Sequence, residues 1–148
     1  MKSTLTKIIK TANGIDTLAL RAGAGVIFAA HGAQKLFGWF GGHGLEGTAG
    51  WMASIGLEPG MLMAAMAGGA EFVGGLLLLA GLLVRPAALM LAVTMAVAIV
   101  TVHLQNGFFM SNNGYEFGLA LLVISLSLAV RGAGSLSADQ QLHAHLNK

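Results

Sequence analysis

From Gly60 to Val84 the chain carries a single charged residue, Glu71, in an otherwise apolar and glycine-rich run. A stretch of this length and composition is long enough to cross a hydrocarbon layer, and a water-facing helix would not tolerate it. Charge is sparse elsewhere too. Charged residues make up 9% of the 148 positions against 55% hydrophobic, with a mean hydropathy of +0.75. Soluble domains carry about 25% charge, so most of this surface is expected to face lipid.

The chain length suits one small membrane domain over 1–148, made of four spans at about 16–38, 60–84, 86–104 and 115–131 with a surface tail at 132–148. The expected fold class is an all-α, four-transmembrane-helix bundle. Pro59 starts the second span, and Arg85-Pro86 is expected as the tight turn between the second and third. Spans shorter than a full crossing are accommodated by tilt or local thinning. Residues 3–12 place Leu5, Ile8 and Ile9 on one face beside Lys7 and Lys10, as in a short helix lying on the membrane surface or a frayed polar tail. The charged start leads into a long apolar run without a small-residue cleavage site, so the first span is expected to be retained.

Orientation follows from Lys and Arg placement. Lys2, Lys7 and Lys10 precede the first span, Arg85 separates the second and third, and Arg131 and Lys148 follow the fourth. The 39–59 and 105–114 loops contain neither Lys nor Arg. The positive-inside rule puts both termini of this multi-pass chain in the cytoplasm. Phe37, Trp39, Phe40, Trp51, Phe108, Phe109, Tyr115 and Phe117 all fall at the opposite side, as an aromatic belt does. The 39–59 loop is too apolar to float in water, and is expected to fold back as a short interfacial or re-entrant helix over the outer end. In the tail, Ser137 and Gln140 form a capping-box pattern ahead of Leu142 and Leu146.

Several function classes are excluded or unsupported. The eight Lys and Arg residues are scattered, so no nucleic-acid partner is expected. The chain has no cysteine, which removes disulfide, thiol and thiolate chemistry. There is no nucleotide loop, hydrolase triad pattern or haem attachment motif. Met61, Met63 and Met66 read as apolar filler.

The informative residues are polar ones placed where the bilayer makes them costly. His31 and Lys35 lie one turn apart near the outer end of the first span. Arg21, Gly25, Gly32 and Lys35 form a stripe whose glycines allow close helix approach. Glu71 lies about 18 Å along the second span at 1.5 Å per residue, with Gly68 and Gly75 on its face. His103 closes the third span, and Asn113 and Glu116 open the fourth. Antiparallel spans would bring His31, Lys35, His103 and Glu116 toward one level with Glu71 below. Each also has a plainer reading. Lys35 can snorkel to the interface, His103 can bond a backbone carbonyl, and Glu116 can complement the helix dipole. Arg21 can anchor at the inner interface, Glu71 can be paired with Lys35 or Arg21, and His43 can be a solvated loop residue. Imidazoles, carboxylates and an amine together suit proton handling, or binding of a carbonyl-bearing headgroup such as a quinone. The same donors could hold a metal, but no Glu-x-x-His pair is present to support a di-metal bundle site.

The segments RAGAGVIFAAHGAQKLFGWFGGHGLEGTAGWMASIGL, GGAEFVGGLLLLAGLLVRPAAL, IVTVHLQNGFF, NGYEFGLALL and GAGSLSAD, spread over about residues 17–139, resemble the DoxX family of small bacterial membrane proteins. The resemblance implies a four-helix membrane bundle and association with membrane redox systems, since the family takes its name from a subunit linked to thiosulfate:quinone oxidoreductase. It points to His31, Lys35, Glu71, His103, Asn113 and Glu116, and brings no catalytic assignment with them. The leading expectation is a quinone-linked redox component. Glu71 and His103 would exchange protons, and His31, Lys35, Asn113 and Glu116 would bind the ligand near the outer face. Membrane lipids, a redox partner subunit and further copies of the chain are the expected partners. A membrane anchor or assembly subunit, a small-molecule permease and a metal-binding protein are the alternatives.

Overall fold

A computed structural model describes residues 2–11 and 14–146, with the side chains of Lys2, Ser3 and Leu5 left out. Lys148, counted above for orientation, lies outside these residues, as do the Leu5 side chain of the N-terminal apolar face and the end of the tail. The described chain is all helical, with no strand. In order it forms α1 (Lys2–Ile8), α2 (Asp16–Phe37), α3 (Gly44–Ser54), α4 (Gly60–Ala80), α5 (Val84–Ala98), α6 (Glu116–Arg131) and α7 (Ala138–Leu146). A π-helical turn, Ile99–His103, and a further tight turn to Asn106 extend α5.

Two helices among the described residues are long and apolar enough to cross a membrane, Gly60–Ala80 and Val84–Asn106. The outer surface has the corresponding character. Val26, Met66, Val73, Val93, Val97, Val100, Val123, Leu126 and Val130 are all exposed. The hydroxyls of Thr94, Thr101 and Ser127 turn back onto their own helices. They donate to the carbonyls of Met90 (3.0 Å), Val97 (2.8 Å) and Val123 (2.8 Å). Internal satisfaction of this kind is what a surface without water requires.

Helix α2 packs on α4, α4 on α5, α5 on α6 and α6 back on α2. The apolar centre holds Phe28, Leu78, Leu91, Leu121 and Leu128. With an exterior as apolar as the interior, burial alone cannot select this arrangement, and close van der Waals packing must. The α2–α4 crossing provides it. A Cβ added to Gly25 would stand 2.9 Å from the Gly75 carbonyl oxygen, and one added to Gly32 would strike the Phe72 backbone. The glycine stripes expected on these two helices therefore face each other.

Helix α4 ends at Ala80, where Gly81 takes a left-handed conformation (φ 65°). The turn is thus Gly81–Leu83. Arg85 and Pro86 lie inside the first turn of α5, where the missing proline N–H has no helical partner to lose. The Arg85-Pro86 turn expected from sequence is corrected accordingly.

At this end the two termini are locked together. Arg21 is 3% exposed and spends its guanidinium on carbonyls. It donates to Leu78 (3.2 Å) and Leu79 (3.1 Å) in the last turn of α4, to Ala133 (3.1 Å), and to Leu136. It is a staple between α4 and the chain after α6, rather than an interface anchor. Thr17 Oγ1 donates to the Ala133 carbonyl (2.8 Å), Gly14 and Ser135 exchange bonds of 2.8 and 2.7 Å, and Arg131 pairs with Asp16. Ser137 Oγ accepts from Gln140 N–H at 3.2 Å, the N-capping bond expected of the tail.

Asp139 on α7 accepts the N–H groups of Leu83 (2.8 Å) and Val84 (3.0 Å), and so caps α5 from outside it. Burial pushes this carboxyl above the ordinary aspartate value, against the lowering effect of those two bonds and of Arg21 and Arg85. The segment after Arg131 is therefore more than a surface tail, since Ala133 and Asp139 are both 1% exposed.

Candidate functional site

The opposite end carries the aromatic side chains. Phe37 packs at a tilt against Trp39 (5.1 Å between centroids) and edge-on against Phe72 (5.2 Å), while Phe108 meets Phe109 (5.3 Å) and Tyr115 (5.4 Å). Between Gly38 and Gly44 the chain reverses through a tight turn in which Phe40 is left-handed (φ 53°), a strained state for an aromatic residue. It then enters α3. Helix α3 packs on α2 and on the first turns of α4, with Ala49, Met52 and Ala64 forming a small core. The expected short helix in the 39–59 loop is present.

The polar centre lies beneath α3. Lys35 Nζ and Glu71 Oε2 stand 2.6 Å apart, and the side chains are 26% and 5% exposed. The pair exists because Gly68 leaves room for Lys35 and Leu36 on the facing helix. Glu71 is less deep than counting along α4 suggested. The first turns of α4 run past the end of α2 to pack on α3, so Glu71 lies only about one turn below Lys35. Thr48 Oγ1 on α3 donates to the Lys35 carbonyl at 3.2 Å and ties the covering helix to this point.

An open depression of about 260 Å³ reaches Lys35 from outside. Gln34, His43, Thr48, Trp51 and the glycine turn at 41–42 complete its walls. From sequence, Gln34 and Thr48 carry no signal of their own, Trp51 reads only as part of the aromatic belt, and His43 as a solvated loop residue. The apolar character of 39–59 implies a covering segment that contains Thr48 and Trp51, without its register over Gln34 and Lys35.

The remaining sequence-selected residues divide. His31 is exposed at the α2–α6 seam, with its ring 6.4 Å from that of Phe117, and within electrostatic reach of Lys35 and Glu71. His103, Asn113 and Glu116 form a separate group that shapes the 104–115 loop. His103 Nδ1 lies 2.9 Å from the Asn113 carbonyl, which can only accept, so Nδ1 donates and Nε2 of the neutral ring is left as an acceptor. Asn106 bonds the same carbonyl at 3.3 Å, Asn113 is left-handed, and Glu116 accepts the Met110 N–H at 2.6 Å. The structure thus joins Lys35 to Glu71 with His31 near, and gathers His103, Asn113 and Glu116 apart from them in the 104–115 loop. Among the described residues no three His, Asp or Glu side chains are grouped closely enough to hold a metal ion.

Fold and site define a helical, membrane-associated protein with a buried glutamate paired to a part-exposed lysine beneath a covering helix. The profile of the DoxX family matches residues 17–104. The chain belongs to the DoxX family, which is membrane-associated. It is 38% identical over 125 residues to the "Putative oxidoreductase CatD" of Bacillus subtilis (strain 168), covering 84% of this chain and 85% of that protein. It is also 38% identical to two uncharacterised proteins of Haemophilus influenzae, over 74 and 82 residues. Those alignments cover 49% and 61% of the two Haemophilus proteins. No solved structure matches.

Proposed function

We propose that this chain is a four-span bundle of the bacterial inner membrane, with both termini cytoplasmic, that binds a quinone-like ligand near the outer face as a component of a membrane redox system. The observation that carries the reading is the Lys35–Glu71 pair, whose lysine lines an open depression at the aromatic end. The redox element also draws on the Bacillus relative's name. The orientation draws on charge: among the described Lys and Arg side chains, Lys7, Lys10, Arg21, Arg85 and Arg131 belong to the locked end or its flanks, whereas Lys35 alone serves the other.

A bound quinone presents carbonyl oxygens that accept hydrogen bonds, and its reduction takes up two electrons and two protons. Lys35 and His31 stabilise negative charge developing on those oxygens. Glu71 exchanges protons through Lys35, His103 takes up a proton at Nε2 and delivers it as the second, and Asn113 and Glu116 hold the loop that presents it. The electrons come from a partner subunit, since the chain has no redox cofactor motif of its own. In membrane vesicles, quinone-dependent electron transfer by the expressed system is expected to fall at least about tenfold in Glu71→Gln. Full retention of activity would remove Glu71 from the mechanism.

A non-enzymatic reading, as an anchor, assembly subunit or permease, is favoured by one observation. His103, Asn113 and Glu116 are all engaged in loop structure. Its signature is a protein that keeps its partner, or its solute flux in liposomes, when Glu71 and Lys35 are both neutralised.

A further inference from the structure

Glu71 and Lys35 are unequal from the side a ligand would approach. Glu71 is sealed between α2 and α4, while Lys35 lines the depression. An ammonium has three donors, and one is directed at Glu71. The other walls carry the His43 imidazole, the Gln34 amide, the Trp51 indole and the Gly41–Gly42 backbone, and no carboxylate. Thr48 is committed to the Lys35 carbonyl and Gln34 Nε2 to the Phe40 carbonyl (3.3 Å), which fixes α3 and the strained turn as the frame. At about 260 Å³ the space falls below the roughly 300–1,000 Å³ of pockets that enclose drug-sized ligands.

Resting on the quinone reading above, we propose that the depression between α2, the 38–44 turn and α3 is the ligand site itself. It admits a single planar ring bearing oxygen acceptors, from the outer face, with Lys35 as the contacting cation, Trp51 as the stacking surface and His43 as a second donor. Glu71 then acts through Lys35 as a positioning residue. A ring is favoured over a compact anion because Trp51 offers a flat face beside a cation. An isoprenoid tail has no room inside and stays outside the depression.

The test is equilibrium dialysis of the tail-less 2,3-dimethoxy-5-methyl-1,4-benzoquinone against the full chain in nanodiscs, with empty nanodiscs subtracted. Saturable binding is expected, weakened about tenfold in Trp51→Ala and restored in Trp51→Phe, with a similar loss in His43→Ala and no saturable binding in Lys35→Met. The Trp51→Phe rescue separates stacking from failure to fold. Wild-type affinity in Trp51→Ala and His43→Ala, with binding lost in Glu71→Gln, would place the ligand elsewhere around the ion pair. That result overturns this site and leaves the redox reading standing. Absence of saturable binding to wild type, while a long-chain quinone co-purifies, also overturns the site. Absence of both overturns the site and the reading together.

Discussion

Lys35 on α2 and Glu71 on α4 meet at 2.6 Å, directly above the crossing where Gly25 and Gly32 face Gly75 and the Phe72 backbone. The two features depend on each other. The glycines bring the helix axes close enough for a lysine in the last turn of one helix to reach a carboxylate buried on the other. The pair in turn satisfies an acid that would otherwise be unpaired in an apolar environment. Removing one partner of such a pair costs about 3–5 kcal/mol, whereas replacing both is close to neutral. Partial exposure of Lys35 places this chain toward the lower figure. Thermal unfolding in detergent is expected to show a large loss for Lys35→Met alone and recovery of most of it in Lys35→Met/Glu71→Leu. Additive losses would mean the two residues do not act as a pair.

The glycine crossing makes a second prediction. Gly32→Ala and Gly75→Ala put a methyl group into the opposing backbone, and each is expected to destabilise by about 1–3 kcal/mol through forced separation of the helices. Gly23, on the same helix with open space around it, serves as the control. Gly23→Ala is expected to be neutral, or stabilising by up to about 1 kcal/mol, because alanine favours the helix. Size-exclusion stability profiles of the three variants measure the difference.

At the locked end, the guanidinium of Arg21 reaches four carbonyls through its planar fork, which an ammonium cannot reproduce. Arg21→Lys is expected to behave nearly as badly as Arg21→Met. The readout is limited proteolysis, with cleavage after Arg131 appearing in both variants and absent from wild type.

Asp139 predicts a pH dependence. Its carboxyl titrates above the ordinary aspartate value when folded, so the folded chain binds the proton more tightly than the unfolded chain. Between the ordinary and the raised value, stability is therefore expected to fall as pH rises, and to level off above the raised value. Unfolding midpoints across the acid range should show this slope in wild type and lose it in Asp139→Asn. Asp139→Ala removes the cap of α5 as well, at about 0.5–2 kcal/mol.

Much of this arrangement is legible in the sequence where it depends on spacing along one helix. The stripes of Gly25 and Gly32 and of Gly68 and Gly75 follow from helical periodicity, and the cost of a bare charge in the membrane makes Lys35 or Arg21 the natural partner of an ionised Glu71. What depends on backbone acceptors was hidden. No residue type marks a carbonyl as the partner of Arg21, and the capping of α5 by Asp139 joins positions more than fifty residues apart. Span positions alone set His103 and Glu116 at the level of His31 and Lys35, above Glu71, and put Asn113 at the start of the fourth span. The left-handed turn at Asn113 gathers them into a loop instead. Gln34 and Thr48, and the place of Trp51 beside Lys35, follow only from the register of α3 over α2.

The most direct test of the central claim is mass spectrometry of the organic extract from gently purified protein. A quinone near one per chain, lost in Glu71→Gln and in Lys35→Met, is the predicted result. Wild-type protein that carries only bulk lipid, identical to that of the two variants, would contradict it.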